Sequence, residues 1–123
     1  WCCLVGSEMC IRDRSWPYKN TPNMQVALEK AFFDAATTNR IRLIPAGPAF
    51  FYVNQNFPEI NLYTNDNRHP SPAGTYLAAL MVFATLTDKS PIGNSYTMGL
   101  DEDAAKTLQE VAWLTHQNFQ QKN

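Results

Sequence analysis

The chain has 123 residues, 45% of them hydrophobic, and a formal net charge of −1 at pH 7. That length supports one small core. A near-neutral balance without a basic run excludes the electrostatic footprint of a nucleic-acid-binding protein and a polybasic membrane patch, and no apolar run reaches the length of a membrane span.

Residues 4–14, LVGSEMCIRDR, resemble the in-frame translation of a sequencing adapter, and a segment of that kind is set aside from fold reasoning. Residues 1–3 lie upstream and share its status. The alternative is a natural N-terminal segment with a few buried hydrophobics. No basic start followed by a long apolar run marks a cleavable signal. Cys2, Cys3 and Cys10 are the three cysteines of the chain and all fall in this stretch. Disulfide, zinc-thiolate and cysteine-nucleophile readings therefore have no residues to rest on in 15–123, and cysteine says nothing of the compartment. Glu8, Asp13, Arg12 and Arg14 cancel, so the remainder keeps the same net charge. Residues 15–123 show no internal repeat or low-complexity linker and read as one domain.

In chain order, residues 15–20 (SWPYKN) read as a strand end running into a loop, with Pro17 as a breaker. Thr21-Pro22 is a hydroxyl cap followed by proline, the pattern of a helix start. Met24, Leu28, Ala31, Phe32 and Ala35 follow at helical spacing and predict one buried face. The helix should fade near residues 37–39, where poor helix formers cluster. Residues 41–44 (IRLI), bounded by Pro45 and Gly47, predict a short buried strand. A strand after a helix of this length favours a parallel sheet. Residues 48–54 predict a short helix with Phe50, Phe51 and Val53 facing inward, and residues 58–62 an extended stretch or turn.

Ser71-Pro72 repeats the cap-then-proline pattern. It opens the most apolar helix, to about Leu86, with Tyr76, Leu77, Leu80, Met81, Phe83 and Leu86 on more than one stripe, so that burial on more than one side is expected. Pro91-Ile92-Gly93 predicts a fixed turn. Asp101 caps a last helix with Glu102 and Asp103 in its first turn, where the helix dipole favours acid; its apolar positions are Ala104, Leu108, Val111, Ala112, Leu114 and Phe119. His116 reads as a solvated or half-buried helix residue, and Trp113 as packing.

The chemistry concentrates in residues 65–79, NDNRHPSPAGTYLAA, which hold the one Asp-x-x-His spacing of the chain, Asp66 and His69. An imidazole is a general base near neutral pH. To activate a hydroxyl it takes the proton through one ring nitrogen while a carboxylate holds the other as a donor. Asp66 could accept from Nδ1–H of His69 and leave Nε2 to face a substrate cleft. The same spacing on a helix is a metal-ligand pair, but Pro70 biases His69 away from the α region. A third reading has Asp66 capping a turn and His69 standing exposed on a loop.

The flanking residues add a family resemblance. Leu62-Tyr63, Asp66, His69-Pro70-Ser71, Ala73-Gly74, Tyr76-Leu77-Ala78-Ala79 and Ser90-Pro91-Ile92-Gly93 together resemble the last motif block of SGNH/GDSL-type hydrolases, in bacterial members whose final block runs LY…D…HPSxAGxYLAA…SPxG. Upstream, Trp16 resembles the end of the fourth sheet strand, Met24 to Leu28 the next helix, and Leu43, Pro45, Gly47 and Ala49 the fifth strand and its exit. The resemblance implies an α/β fold, the C-terminal part of a three-layer α/β/α domain with a parallel sheet, of which this chain would be mostly helical with one or two short strands. It implies hydrolysis of esters, often acyl groups on small molecules, carbohydrates or lipids, without metal or organic cofactor. His69 would be the general base and Asp66 its orienting partner.

The remaining parts of such a site are missing. The family's nucleophilic serine stands in a Gly-Asp-Ser motif near the domain start, and its oxyanion-hole glycine and asparagine lie between that serine and this segment. Ser7, Ser15, Ser71, Ser90 and Ser95 stand in no such motif. Loss of a serine nucleophile costs roughly 10⁶-fold in turnover, so the chain alone is expected to be inactive, to expose an apolar patch where sheet neighbours are missing, and to be marginally stable. The alternatives are a non-catalytic helical binding or structural module, and a helical domain in which Asp-x-x-His is accidental.

Overall fold

In the computed structural model residues 16–40 and 42–120 are described, and the adapter-like segment lies outside them. They form four helices: α1 (Met24–Asn39), α2 (Ala46–Asn56), α3 (Pro72–Thr87) and α4 (Glu102–Gln120). No strand is present among them, and the one ladder contact is an isolated antiparallel bridge between Tyr63 and Pro70. This corrects the α/β expectation: the described chain is all-helical. Residues 42–45 are irregular, and Ile41 lies outside the described residues. A lone apolar run has no ladder partner here. Leu43 and Ile44 are only half-buried, while Arg42 Nη1 donates to the Thr85 carbonyl at the end of α3 (3.0 Å). Trp16 likewise belongs to a bend, not a strand end.

Local chemistry sets the helix ends. Ser71 is the N-cap of α3, accepting from the Gly74 amide at 3.2 Å, with Pro72 in the first turn. The Asp101 carboxylate accepts from the Asp103 and Ala104 amides ahead of α4 (3.2 and 3.3 Å). Helix α1 starts later than the Thr21-Pro22 signal: those residues form turns, with Met24 N–H to the Thr21 carbonyl and Gln25 N–H to the Pro22 carbonyl, both 3.0 Å. Two helices end on left-handed residues, Arg40 after α1 (φ 53°) and Asp88 after α3 (φ 55°).

Helix α3 packs on α2 and α4, which also pack on each other, while α1 packs on α2 alone among the described helices. The core joins Phe50 and Val53 of α2, Leu77, Leu80 and Met81 of α3, and Leu108, Val111 and Ala112 of α4. Trp16 closes one end, stacked on Phe50 (centroids 4.6 Å apart), and Tyr63 meets the same ring edge-on. Helix α3 is buried on two sides as expected, but Phe83 and Leu86 point outward. Phe51 is also exposed. On α1 the fully buried positions are Gln25 and Ala36; of the predicted stripe Met24, Leu28 and Phe32 are half-buried and Ala31 and Ala35 exposed, and Val26 is 77% exposed. A helix with one neighbour buries only a narrow stripe.

The loop after α3 is pinned from α4. Gln109 donates through Nε2 to the Tyr76 hydroxyl (2.9 Å) and the Asn94 carbonyl (3.0 Å) and accepts from the Gly93 amide (2.9 Å). Gly93 sits at φ 85°, as the Pro91-Ile92-Gly93 turn requires.

Gly74 fixes the start of α3 against the segment before it. A Cβ there would overlap the Leu62 carbonyl oxygen and come within 3.1 Å of the Pro70 Cβ. The close approach is to a loop carbonyl. Gly74→Ala should destabilise the fold by at least about 2 kcal/mol, since backbone has to move to admit the methyl group. Its urea midpoint should fall accordingly, and an unchanged midpoint would show that the 62–74 contact is slack.

Candidate functional site

Residues 62–71 form a tight loop held at its neck by the Tyr63–Pro70 bridge. Thr64 N–H donates to the His69 carbonyl (2.8 Å) and Ser71 N–H to the Leu62 carbonyl (2.9 Å). At the tip Asn67 takes a left-handed conformation (φ 58°), which asparagine tolerates. The loop lies on Trp16, whose Nε1 donates to the Arg68 carbonyl (3.3 Å), and Lys19 N–H donates to the Asn67 carbonyl (3.1 Å). Beneath it the Tyr63 hydroxyl donates to the Pro17 carbonyl at 2.6 Å and accepts from Asn54 Nδ2 at 3.2 Å. Burial pushes the Tyr63 phenol up, against the opposing Asn54 bond, which keeps it a neutral donor.

Asp66 and His69 are brought together. The Asp66 carboxylate divides its work between its oxygens. Oδ1 accepts from the Arg68 amide (2.9 Å), the His69 amide (3.0 Å) and the Thr64 hydroxyl (2.7 Å). Oδ2 pairs with His69 Nδ1. These bonds hold the Asp66 carboxyl well below the ordinary carboxylate range. The His69 amide is the largest cause, followed by the His69 ring, the Arg68 amide and the Thr64 hydroxyl. The carboxylate is therefore charged at neutral pH. Contact is through Nδ1, with the Nδ1–H tautomer assigned from the Asp66 acceptor.

The His69 side chain is 77% exposed, and neither it nor Asp66 lines the cavities of about 200 and 370 Å³ on the described surface. Among the described residues no serine hydroxyl bonds to His69. Ser71, two residues on, donates to the Asn61 carbonyl (2.7 Å) while capping α3, so its hydroxyl is structural. Arg68 lies over the Tyr18 ring, 5.2 Å from its centroid, rather than reaching toward His69. Among the described residues no group of three or more His, Cys, Asp or Glu could hold a metal ion, and no helix is long and apolar enough to cross a membrane.

Thr64 is the contributor that sequence reasoning missed. Its hydroxyl bonds to the Asp66 carboxylate two residues on, and no sequence pattern marks it for that role. The other surprise is His116. It is buried on α4, its Nε2 2.7 Å from Asp88 Oδ1 and its ring stacked on Trp113. The sequence placed it as solvated or half-buried.

No protein-family model matches the sequence, and no curated protein or solved structure matches it. The SGNH/GDSL resemblance therefore rests on the motif residues themselves.

Because the folded Asp66 carboxyl titrates below its ordinary value of 3.8, its contribution to loop stability is complete above that pH. It is lost as the pH falls below 3.8 toward the depressed value. Amide exchange at Arg68 and His69 should rise over that acid range relative to core amides on α3. Asp66→Ala should raise it at pH 7 already, without loss of helicity. Equal protection in Asp66→Ala and the parent at pH 7 would remove Asp66 as the organiser of the loop.

Proposed function

We propose that Asp66 and His69 are the base half of a serine acyl-hydrolase site, as the SGNH/GDSL resemblance implies, and that this chain acting alone is a non-catalytic helical module. The observation that carries the first part is the Asp66 Oδ2 to His69 Nδ1 pairing on an exposed loop, with Nε2 outside that pair. A general base needs one ring nitrogen held and the other free to take a proton. A residue that merely ended a turn would need Asp66 Oδ1 alone. His69 is the proton acceptor and Asp66 its positioning partner. The reacting hydroxyl and the oxyanion donors come from residues other than these, in a larger protein acting on a small-molecule or carbohydrate ester.

The second part is favoured by the all-helical fold and by the engagement of Ser71 in its cap. The cavities of about 200 and 370 Å³ both lie away from His69. Without a nucleophile the imidazole has nothing to deprotonate but water. The module reading and the base-half reading describe the same loop at two levels, this chain and the protein it would serve.

Two measurements separate them. Nitrogen-15 NMR of the neutral His69 ring should show protonation on Nδ1, and Asp66→Ala should shift the ring toward the Nε2–H form. An Nε2–H ring in the parent chain would remove the base-half reading. A fluorophosphonate probe should label no serine in the purified chain, and p-nitrophenyl acetate should be turned over no faster than by free imidazole at equal concentration. A labelled serine whose turnover is abolished by His69→Ala would instead make this chain a complete hydrolase.

A further inference from the structure

The three peptide units from Asn67 to Pro70 are tied at their edges by different partners. In the first, the Arg68 N–H bonds to Asp66 Oδ1 (2.9 Å) while the Asn67 carbonyl accepts from the Lys19 N–H (3.1 Å). In the second, the His69 N–H bonds to the same Oδ1 (3.0 Å) while the Arg68 carbonyl accepts from Trp16 Nε1 (3.3 Å). In the third, Pro70 has no N–H, and the His69 carbonyl accepts from the Thr64 amide (2.8 Å) and hydroxyl (3.3 Å). Both N–H groups therefore go to Asp66, and two of the three carbonyls go to residues 16–19.

A peptide unit is planar, with its N–H and C=O on opposite edges. A tie on one edge alone leaves the plane free to pivot about the line joining its Cα atoms, and ties on both edges stop that pivot. The unit between Arg68 and His69 matters most. It carries the His69 N–H, the largest of the causes that hold the Asp66 carboxyl below its ordinary range. Asp66 in turn pairs through Oδ2 with His69 Nδ1. A tilt that took this amide off Oδ1 would loosen the carboxylate that Oδ2 presents to the ring.

The donor on the far edge is itself fixed. Trp16 is 5% exposed, and its ring lies flat on Phe50, with 4.6 Å between centroids and 9° between planes. Its neighbour Tyr18 lies against the Arg68 guanidinium of the same loop. A phenyl ring at position 16 would fill the stack without supplying a donor.

We propose that Trp16 is a positioning residue for the base: its indole N–H holds the Arg68–His69 peptide unit so that Asp66 keeps His69 in the Nδ1–H tautomer. The role rests on His69 being the base half of an acyl-hydrolase site. Trp16 acts through the Arg68 carbonyl and not on a reacting atom.

The test is Trp16→Phe in the full 123-residue chain, followed by nitrogen-15 NMR of the neutral His69 ring and by amide exchange. The Nδ1–H share should fall relative to the parent. Exchange at the His69 amide should rise by about threefold or more, as expected for the loss of one long hydrogen bond. Val111→Ala, a core truncation on α4, is the control: it should lower the urea midpoint and leave the His69 ring as in the parent. In the parent itself the Trp16 indole N–H should exchange more slowly than that of free tryptophan, a measurement that needs no variant. An Nδ1–H ring in the parent that is unchanged in Trp16→Phe overturns the role of Trp16 and leaves His69 as the base. An Nε2–H ring in the parent overturns both. An equal loss of Nδ1–H in Val111→Ala, or a Trp16 indole that exchanges as fast as free tryptophan, overturns the positioning role alone.

Discussion

The carbonyl of Leu62 is the point on which the loop and the helical body meet. It accepts from the Ser71 amide at 2.9 Å and lies against the bare Cα of Gly74. That one oxygen sets how far the 62–71 loop stands above the first turn of α3, and only glycine leaves room for it. Ser71 then caps the same helix, and its hydroxyl reaches back to the Asn61 carbonyl. The helix start and the loop neck are therefore a single hydrogen-bonded unit. Its rigidity is what fixes the exposed pair at the tip relative to the core residues Leu77, Leu80 and Met81 further along α3.

Burial supports the loop from below. Trp16 stacks on Phe50 and Tyr63 meets Phe50 edge-on, and two of the three carry a polar handle: Trp16 Nε1 to the Arg68 carbonyl and the Tyr63 hydroxyl to the Pro17 carbonyl. Large aromatics with a satisfied polar end can sit between a core and a wet surface without an orphan group. This is how an irregular, solvent-exposed stretch is held without a sheet beneath it. The residues that do so come from both ends of the sequence between 16 and 70, so the loop is ordered by long-range contacts more than by its own turn chemistry.

Much of this was legible and some was not, for identifiable reasons. Ser71-Pro72 and Asp101 announce α3 and α4, because a cap is a local interaction between residues three or four apart. The apolar periodicity of α3 and α4 placed Leu77, Leu80, Leu108 and Val111 inside. Residues 41–44 misled, because branched apolar residues read as a strand wherever they stand, while a strand exists only if a second one pairs with it. The same non-local dependence put Val26 and Leu86 in solvent and buried Gln25, Gln109 and His116. Gln109 could be buried because the 93–94 turn and Tyr76 satisfy its amide, a partnership between segments that no helical pattern reveals. At the candidate site Asp66 and His69 were readable from spacing and flanking motif; Thr64, a donor to the same carboxylate, was passed over because a threonine in a loop carries no distinctive pattern by itself.

Asp66 shows why the turn-capping and base-orienting readings of an Asp-x-x-His loop need not compete. A carboxylate has two oxygens and about four acceptor positions. Oδ1 takes the Arg68 and His69 amides and the Thr64 hydroxyl, and so closes the turn. That closure rotates the group so that Oδ2 meets His69 Nδ1. The capping bonds therefore position the imidazole, and they also keep the carboxylate ionised, since every one of them favours the charged form. Pro70 fits the same scheme: it holds His69 out of helical geometry, so the ring turns back over the turn that Asp66 closes instead of following α3. A loop that began as a structural turn would need only an exposed imidazole at its fourth position to acquire a held, directional base. Whether such a base does chemistry then depends on a hydroxyl placed at Nε2, which is a property of the surroundings and not of the loop.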